Sequence, residues 1–319
     1  MKIAFLLYPT AKVKVDEDSS FWIMNELQLR GHVVSYFESS RLCWEGGKLW
    51  APVVTARLDV KKGFLPSSLP KKETDLATMD VIFIRKEPPF DTEYLYALHL
   101  LELVKSRVFV LNDPAGIALC NEKLFTLQFE RFIPESLVTG QPDVARNFIK
   151  KLGKPVVIKP LHQKAGSGIL RTDTRDKNLP SMLDIATDSG KKTVLIQRYI
   201  PQNAFGDKRI LVLNGQPIGS FLRRPPKKDF RANLSVGGSM HRAGLTSSDK
   251  KMVDAMAGRL LRHGLYFVGL DVIGGFLSEI NVTSPSGIPE IRQLEGKRLE
   301  RDVADFIERR LSPFSGRRR

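Results

Sequence analysis

The sequence predicts an α/β lobe built on a parallel sheet, followed from about residue 121 by an α+β region. Two patterns carry that reading. Up to Cys120, short apolar runs alternate with stretches of helical spacing, and strand, helix, strand alternation implies a parallel sheet with helices on its faces. Beyond it, short strands follow one another with helices interspersed, an α+β pattern.

Residues 2–8 (KIAFLLY) read as a buried strand, and Ser19 to Arg30 carries Phe21, Met24 and Leu27 at helical spacing before a stop at Gly31. The next strand is 33–37 (VVSYF). A polar stretch with Gly46-Gly47, Pro52 and Pro66 leads to a strand at 81–84, a helix from Thr92 to about Lys105 and a strand at 108–111. In the second part a helix from 121 to about 131 precedes strands at 155–159 and 168–171, a helix near 181–189, and strands at 194–199, 209–213 and 217–222. A loop rich in charge and glycine spans 223–244. A helix at 248–263, strands at 265–273 and 276–283, and a helix at 297–311 complete the chain.

A chain of 319 residues with 42% hydrophobic and 27% charged content is long enough for two or three lobes with cores of their own. The apolar run from Ile3 to Tyr8 is too short for a signal peptide, and no later stretch approaches the roughly 20 residues that span a bilayer, so a cytoplasmic protein is expected. Cys43 and Cys120 form no CxxC pair and read as structural. The net charge of +15 would favour anionic partners. However, Lys61-Lys62, Lys71-Lys72, Lys191-Lys192 and Lys227-Lys228 are scattered, and only Arg317 to Arg319 concentrate charge, which argues against a dedicated nucleic-acid binder and for a solvated surface.

The sharpest chemistry lies at 264–285. Along SEINVT the side chains alternate, so Glu279, Asn281 and Thr283 share one face while Ile280 and Val282 take the other. Carboxylate and amide oxygens two residues apart suit a hard cation such as magnesium, which keeps waters and substrate phosphates in its shell. Asp271 on the preceding strand is the natural third ligand. A two-residue loop at Gly274-Gly275 would put it opposite Ser278, so convergence requires an odd loop or a bulge; a three-residue loop at 274–276 places Asp271 opposite Glu279. The plainer alternative is an amphipathic hairpin with solvent-facing acids, but the apolar run around Asp271 makes a lone charge there costly.

Lys159 ends the apolar strand PVVIK before the glycine-bearing loop 162–168, which suits an ammonium near phosphates under exposed backbone N–H groups; this is not a Walker A loop. Lys123 lies in the first turn of a helix, and Gln197 ends a strand before Pro201. Arg85, Arg209, Arg224 and Arg231 each stand beside a strand end or glycine-rich loop, where guanidinium forks capture carboxylates and phosphates.

In this order the segments 18–21 (DSSF), 85–94 (RKEPPFDTEY), 120–125 (CNEKLF), 156–161 (VVIKPL), 197–201 (QRYIP), 206–212 (GDKRILV), 231–238 (RANLSVGG), 267–274 (FVGLDVIG) and 278–285 (SEINVTSP) resemble the bacterial glutathione synthetase family, of the ATP-grasp fold. The resemblance runs from residue 18 to about 291. It implies a Rossmann-like N-terminal substrate-binding domain (1–120) and an ATP-grasp domain (121–311), the latter split into a nucleotide lid (about 121–200) and a catalytic, metal-binding lobe (about 201–311), with a basic tail (312–319). It further implies that Lys123, Lys159, Gly166, Ser167, Gly168, Gln197, Ile200 and Asp207 bind ATP, and that Asp271, Glu279 and Asn281 hold magnesium, with manganese as a substitute. Ser19, Ser20, Arg85, Asn233 and Ser284 would meet the substrates, γ-glutamylcysteine and glycine. Arg209, Arg224 and Arg231 would act catalytically, in a homo-oligomer of two or four chains.

The implied reaction passes the γ-phosphate to the dipeptide's C-terminal carboxylate, and glycine's amine then displaces phosphate. It needs cations and excluded water rather than a nucleophilic side chain. Two segments depart from the family pattern: His162, Gln163 and Lys164 in the phosphate loop, and Ser286-Gly287 near the amino-acid substrate. Two other readings compete: a different ATP-grasp ligase that adds glutamate or another amino acid to a peptide or protein terminus, and a noncatalytic basic protein bound to RNA or ribosomes.

Overall fold

Strand β1 (Lys2–Leu7) is buried from Ile3 to Leu7 because helices cover both faces of its sheet. The chain then runs through α1 (Ser19–Leu29), β2 (Val33–Glu38), β3 (Cys43–Glu45), β4 (Lys48–Thr55), β5 (Lys71–Asp75), β6 (Val81–Ile84), α2 (Thr92–Glu102), β7 (Phe109–Leu111) and α3 (Pro114–Leu119). The sheet order is β3-β4-β2-β1-β6-β7, with β5 paired to β4. The expected parallel sheet is present as β2-β1-β6-β7. The polar stretch after β2 folds as an antiparallel extension, with Gly46 and Gly47 (φ +56° and +78°) supplying the two left-handed residues of a tight hairpin. Leu49, Ala51 and Val53 alternate inward along β4, a strand pattern that Pro52 disguises.

This computed structural model describes residues 1–8, 15–59, 71–162, 166–201, 205–234 and 237–311. Lys61-Lys62, Pro66, Gln163, Lys164 and Arg317 to Arg319 therefore lie outside the described residues.

The second part opens with a 3-10 segment, Leu124–Phe132, in place of the expected helix; Phe129 (φ −127°, ψ 49°) breaks it. Strands β8 (Ser136–Thr139), β9 (Val156–Pro160), β10 (Leu170–Thr172) and β11 (Val194–Arg198) form an antiparallel sheet in the order β10-β9-β11-β8. It is backed by α4 (Pro142–Leu152), which the sequence reading did not anticipate, and α5 (Leu179–Thr187). The last sheet is antiparallel in the order β14-β13-β12-β15-β16. Its strands are β12 (Asp207–Leu213), β13 (Gln216–Arg224), β14 (Ser239–Arg242), β15 (Phe267–Ile273) and β16 (Phe276–Asn281), and its helices α6 (Ser247–Arg262), α7 (Ile288–Glu295) and α8 (Leu299–Leu311). β14 lies within the stretch expected to be a loop.

Two contacts lock this last sheet to the first lobe. Buried Asn112 donates to the carbonyls of Phe267 (2.7 Å) and Val282 (2.9 Å) and accepts from the Phe267 N–H (2.8 Å). Helix α8 packs on α1, with Val303 and Ile307 in the core of β1 and Arg30 paired to Asp305 (2.6 Å) and Glu308 (2.8 Å). At the same junction a Cβ on Gly116 would stand 1.9 Å from the His263 carbonyl oxygen. That atom is backbone and cannot step aside. Gly116→Ala is expected to destabilise the fold by about 2–3 kcal/mol, read as a lower thermal midpoint.

Candidate active site

The site rests on the β15–β16 hairpin. Gly274 and Gly275 (φ +57° and +84°) make a two-residue turn that pairs Ile273 with Phe276 and Val272 with Leu277. A bulge then leaves Ser278 as the extra residue, and Asp271 pairs with Glu279 and Gly269 with Asn281. The expected opposition of Asp271 and Glu279 holds, but the three-residue loop at 274–276 does not. The odd residue sits in the strand because two successive glycines already satisfy the tightest turn.

Asp271, Glu279 and Asn281 line one cavity of about 350 Å³. Asn281 donates its amide nitrogen to the Gly269 carbonyl (3.1 Å), which leaves its side-chain oxygen as the group available to a ligand. Among the described residues, no three His, Cys, Asp or Glu side chains gather as a metal group. The set is two carboxylates and an amide oxygen, hard donors that fit a magnesium-type cation sharing its shell with phosphates.

Cations surround these acids. Asp271 accepts from Arg209 Nε (2.6 Å) and Nη2 (3.2 Å) and lies 2.9 Å from Arg223 Nη2. Burial alone would raise its carboxyl, but the two guanidinium groups hold it well below the usual carboxylate range. Glu279 pairs with Lys123 Nζ at 2.9 Å. Asp207 accepts from Arg223 (2.8 Å), yet its other oxygen has no partner among the described residues, and burial pushes its carboxyl up to about 6.

A second, narrower cavity of about 70 Å³ adjoins the first and is lined by Lys123, Lys159, Gly166, Gln197, Ile200 and Asp207, with Val157, Ile169 and Phe276 as apolar walls. Lys159 donates to Gln197 Oε1 (2.7 Å) and to Ser278 Oγ (2.9 Å), the side chain that the bulge releases. Gln197 in turn donates to Ser136 (3.0 Å), so its amide orients Lys159. Gly166 (φ +75°) gives its carbonyl to Arg231 (3.2 Å), tying the loop to the 229–234 segment, whereas Ser167 and Gly168 are exposed and line neither cavity.

Burial lowers Lys159 to about 8. A phosphate ligand favours its charged form, so ATP binding is expected to weaken as pH rises through 8, by about 10-fold between pH 7 and 9. Titration calorimetry would show this slope in the wild type, and Lys159→Arg should flatten it.

The arginines divide. Arg209 lines the larger cavity, and Arg231, held by Asp229 at 2.6 Å, lines the narrower one. Arg224 is exposed and lines neither; its neighbour Arg223 points inward and bridges Asp207 and Asp271. The reason is a second bulge. β13 leaves its two-residue turn with Val212 paired to Pro217, then slips to Leu211 against Gly219, which brings Arg223 opposite Asp207. Without that extra residue Leu222 would face Asp207, and Arg224 would share the site face. Arg223 on β13 thus reaches both buried acids, Asp207 on the adjacent β12 and Asp271 on β15 beyond it.

Asn233 lines both cavities, and Ser284 lines the larger of them together with a third, wider cavity of about 1060 Å³ bounded by Asp18, Arg85 and Glu290. Ser19 and Ser20 stand behind that wall, wholly buried. Ser19 Oγ accepts from the N–H groups of Gly287 (3.1 Å) and Ile288 (3.2 Å), and Ser20 Oγ accepts from Arg85 Nε (3.0 Å). They position the loop and the guanidinium and do not line the cavity. Glu122, Arg223 and Glu290 are lining residues that the sequence reading did not single out.

The family model of the prokaryotic glutathione synthetase N-terminal domain matches residues 1–118, and that of the prokaryotic glutathione synthetase ATP-grasp domain matches 122–296. Among curated proteins, glutathione synthetase of Nostoc sp. (strain PCC 7120 / SAG 25.82 / UTEX 2576) is 38% identical over 98% of this chain and 99% of its own. That of Thermosynechococcus vestitus is 40% identical over 96% and 99%. Among solved structures, D-cycloserine synthetase DcsG superimposes with a TM-score of 0.66 at 12% identity, covering 96% of this chain and 99% of that one. ATP-grasp ligase PsnB, complexed with a phosphomimetic variant of its minimal precursor, Mg and ADP, gives 0.65 at 18%, covering 97% and 98%. These two share the fold. The chain belongs to the prokaryotic glutathione synthetase family.

Proposed function

We propose that this chain joins γ-glutamylcysteine to glycine at the expense of ATP, giving glutathione, ADP and phosphate. The observation that carries the reading is the register of β15 and β16, which sets Asp271, Glu279 and Asn281 on one wall beside Lys123 and Lys159. Asp271, Glu279 and Asn281 would hold magnesium, with manganese as a substitute. A bound divalent ion there neutralises the phosphates and makes the γ-phosphorus more electrophilic.

The chain's own residues do the rest. Lys123 and Lys159 draw the nucleotide phosphates into the narrow cavity, while Ile200 and Phe276 flank the base and Asp207 meets the ribose or phosphate edge. Arg209 and Arg223 orient the donor's cysteinyl carboxylate. One carboxylate oxygen bonds to the γ-phosphorus as the bond to ADP breaks. Glycine's neutral amine then bonds to the acyl carbon, phosphate leaves, and the nitrogen gives up a proton. Arg231, Asn233 and Gly166 close over the reacting groups and exclude the water that would hydrolyse the acyl phosphate.

Residues 1–120 would form the donor-binding domain, 121–200 the nucleotide lid and 201–311 the catalytic lobe, with 312–319 a basic tail. We infer a cytoplasmic location, where ATP and a reduced donor thiol coexist, and, from the family resemblance, a homo-oligomer of two or four chains. No helix among the described residues is long and apolar enough to cross a membrane. The test is phosphate release with ATP, magnesium, γ-glutamylcysteine and glycine, omitting each amino-acid substrate in turn. Release should require both; release indifferent to glycine would overturn the proposal.

A further inference from the structure

Glycine is an ammonium at neutral pH, and its nitrogen can bond to the acyl carbon only after a proton has left it. The acceptor for that proton must face the cavity that holds the metal-binding acids. Five carboxylates line it: Glu87, Glu122, Asp271, Glu279 and Glu290. Asp271 and Glu279 are tied to Arg209, Arg223 and Lys123 and are the acids proposed for the ion. Glu87 and Glu290 border the wide cavity as well, and Glu290 Oε2 is sealed from solvent. That leaves Glu122.

Glu122 and Lys123 are chain neighbours that grip the last strand of the site at two points. Lys123 Nζ reaches Glu279 at 2.9 Å. Glu122 Oε1 accepts from the N–H groups of Val282 (3.0 Å) and Thr283 (3.2 Å) and from Thr283 Oγ1 (2.8 Å), and the Glu122 carbonyl accepts from the Ile280 N–H (2.9 Å). One side-chain oxygen therefore makes the whole clasp. Oε2 has no hydrogen-bond partner among the described residues and is not closed off from solvent. An amide oxygen would clasp the strand equally well without the cost of drawing a charge into a partly buried site, so the clasp does not account for the carboxylate. Thr283 lines the same cavity as Glu279 and Asn281. Glu122 thus sits beyond the metal-binding pair, about 7 Å from Asn281 at extended spacing. That span accommodates an ion-held phosphate, the acyl carbon bonded to it and an approaching nitrogen.

We propose that Glu122 is the base for the acceptor amine: its Oε2 meets the ammonium of glycine and takes one proton. This rests on the acceptor assigned above. The N–H electron pair stays on nitrogen and forms the bond to the acyl carbon. The acyl C–O bond then breaks with its pair on phosphate, which carries off the second proton that nitrogen sheds. Glu122 returns its own proton to solvent as the product leaves.

The experiment offers wild type and Glu122→Gln two nucleophiles at neutral pH: glycine, and hydroxylamine, which is already neutral there and traps an acyl phosphate as the hydroxamate. Glutamine keeps the oxygen that clasps Val282 and Thr283. The glycine-dependent kcat should fall by on the order of 10²–10³-fold, whereas hydroxamate formation and the KM values for ATP and γ-glutamylcysteine should stay within about 3-fold. Hydroxamate output at the wild-type rate shows that the variant is folded and still activates the donor. Equal losses with both nucleophiles would overturn the inference by reducing Glu122 to a structural clasp. So would a variant whose glycine-dependent rate stays within about 3-fold of wild type. Wild type that makes no amide from γ-glutamylcysteine and glycine would instead remove the underlying functional reading, and the inference with it.

Discussion

Glu279→Gln is expected to lower kcat by on the order of 10³-fold while the thermal midpoint stays within about 2 °C of wild type. The substitution keeps shape and removes one charge. Glu279 has a side-chain exposure of 25%, so its loss leaves no buried cavity, and its partner Lys123 gains an amide oxygen in place of a carboxylate. What disappears is one of the two carboxylates, Asp271 and Glu279, proposed to hold a divalent ion beside the nucleotide phosphates. Raised magnesium should recover part of the rate, because the defect lies in ion occupancy. Initial rates across a magnesium series check this; loss of rate that no magnesium concentration relieves, together with a lowered thermal midpoint, would point to a folding role.

The second large effect separates two adjacent residues. Arg223→Lys should reduce kcat/KM by on the order of 10²-fold, whereas Arg224→Ala should stay within about 3-fold. Lysine keeps the charge but cannot present the planar fork with which Arg223 spans Asp207 and Asp271, at 2.8 and 2.9 Å. Arg224 is exposed on the other face of the same strand. Comparable losses in both variants would contradict the bulge-shifted register on which the site depends.

These two strands show how far the sequence could be read. Alternation along SEINVT set Glu279 and Asn281 on one face without any structure, and the cost of burying Asp271 alone implied a partner across the hairpin. The parallel core of the first sheet was legible from near-continuous apolar runs in KIAFLLY, VVSYF and the segment at 81–84. Bulges were not legible. One inserted residue changes no composition and leaves period-two alternation intact on either side, yet it inverts the facing of everything beyond it. At β16 the sequence demanded an odd residue but not its position, which proved to be Ser278. At β13 nothing demanded it, and Arg224 was favoured over Arg223. Ser19 and Ser20 were expected to meet the substrates, but they lie buried behind Arg85, which is a tertiary fact: the N–H groups that Ser19 caps belong to residues 287 and 288, far away in sequence. The β3–β4 hairpin was missed because Pro52 and the paired glycines imitate a loop.

The central claim is that the donor's carboxylate is activated as an acyl phosphate beside Asp271, Glu279 and Asn281. The most direct measurement labels the cysteinyl carboxylate of γ-glutamylcysteine with ¹⁸O and follows the oxygen through one round of synthesis with ATP, magnesium and glycine. One ¹⁸O atom is expected in each phosphate released and the other in the new amide carbonyl, with ADP as the nucleotide product. Unlabelled phosphate, or release of AMP and pyrophosphate, would contradict it.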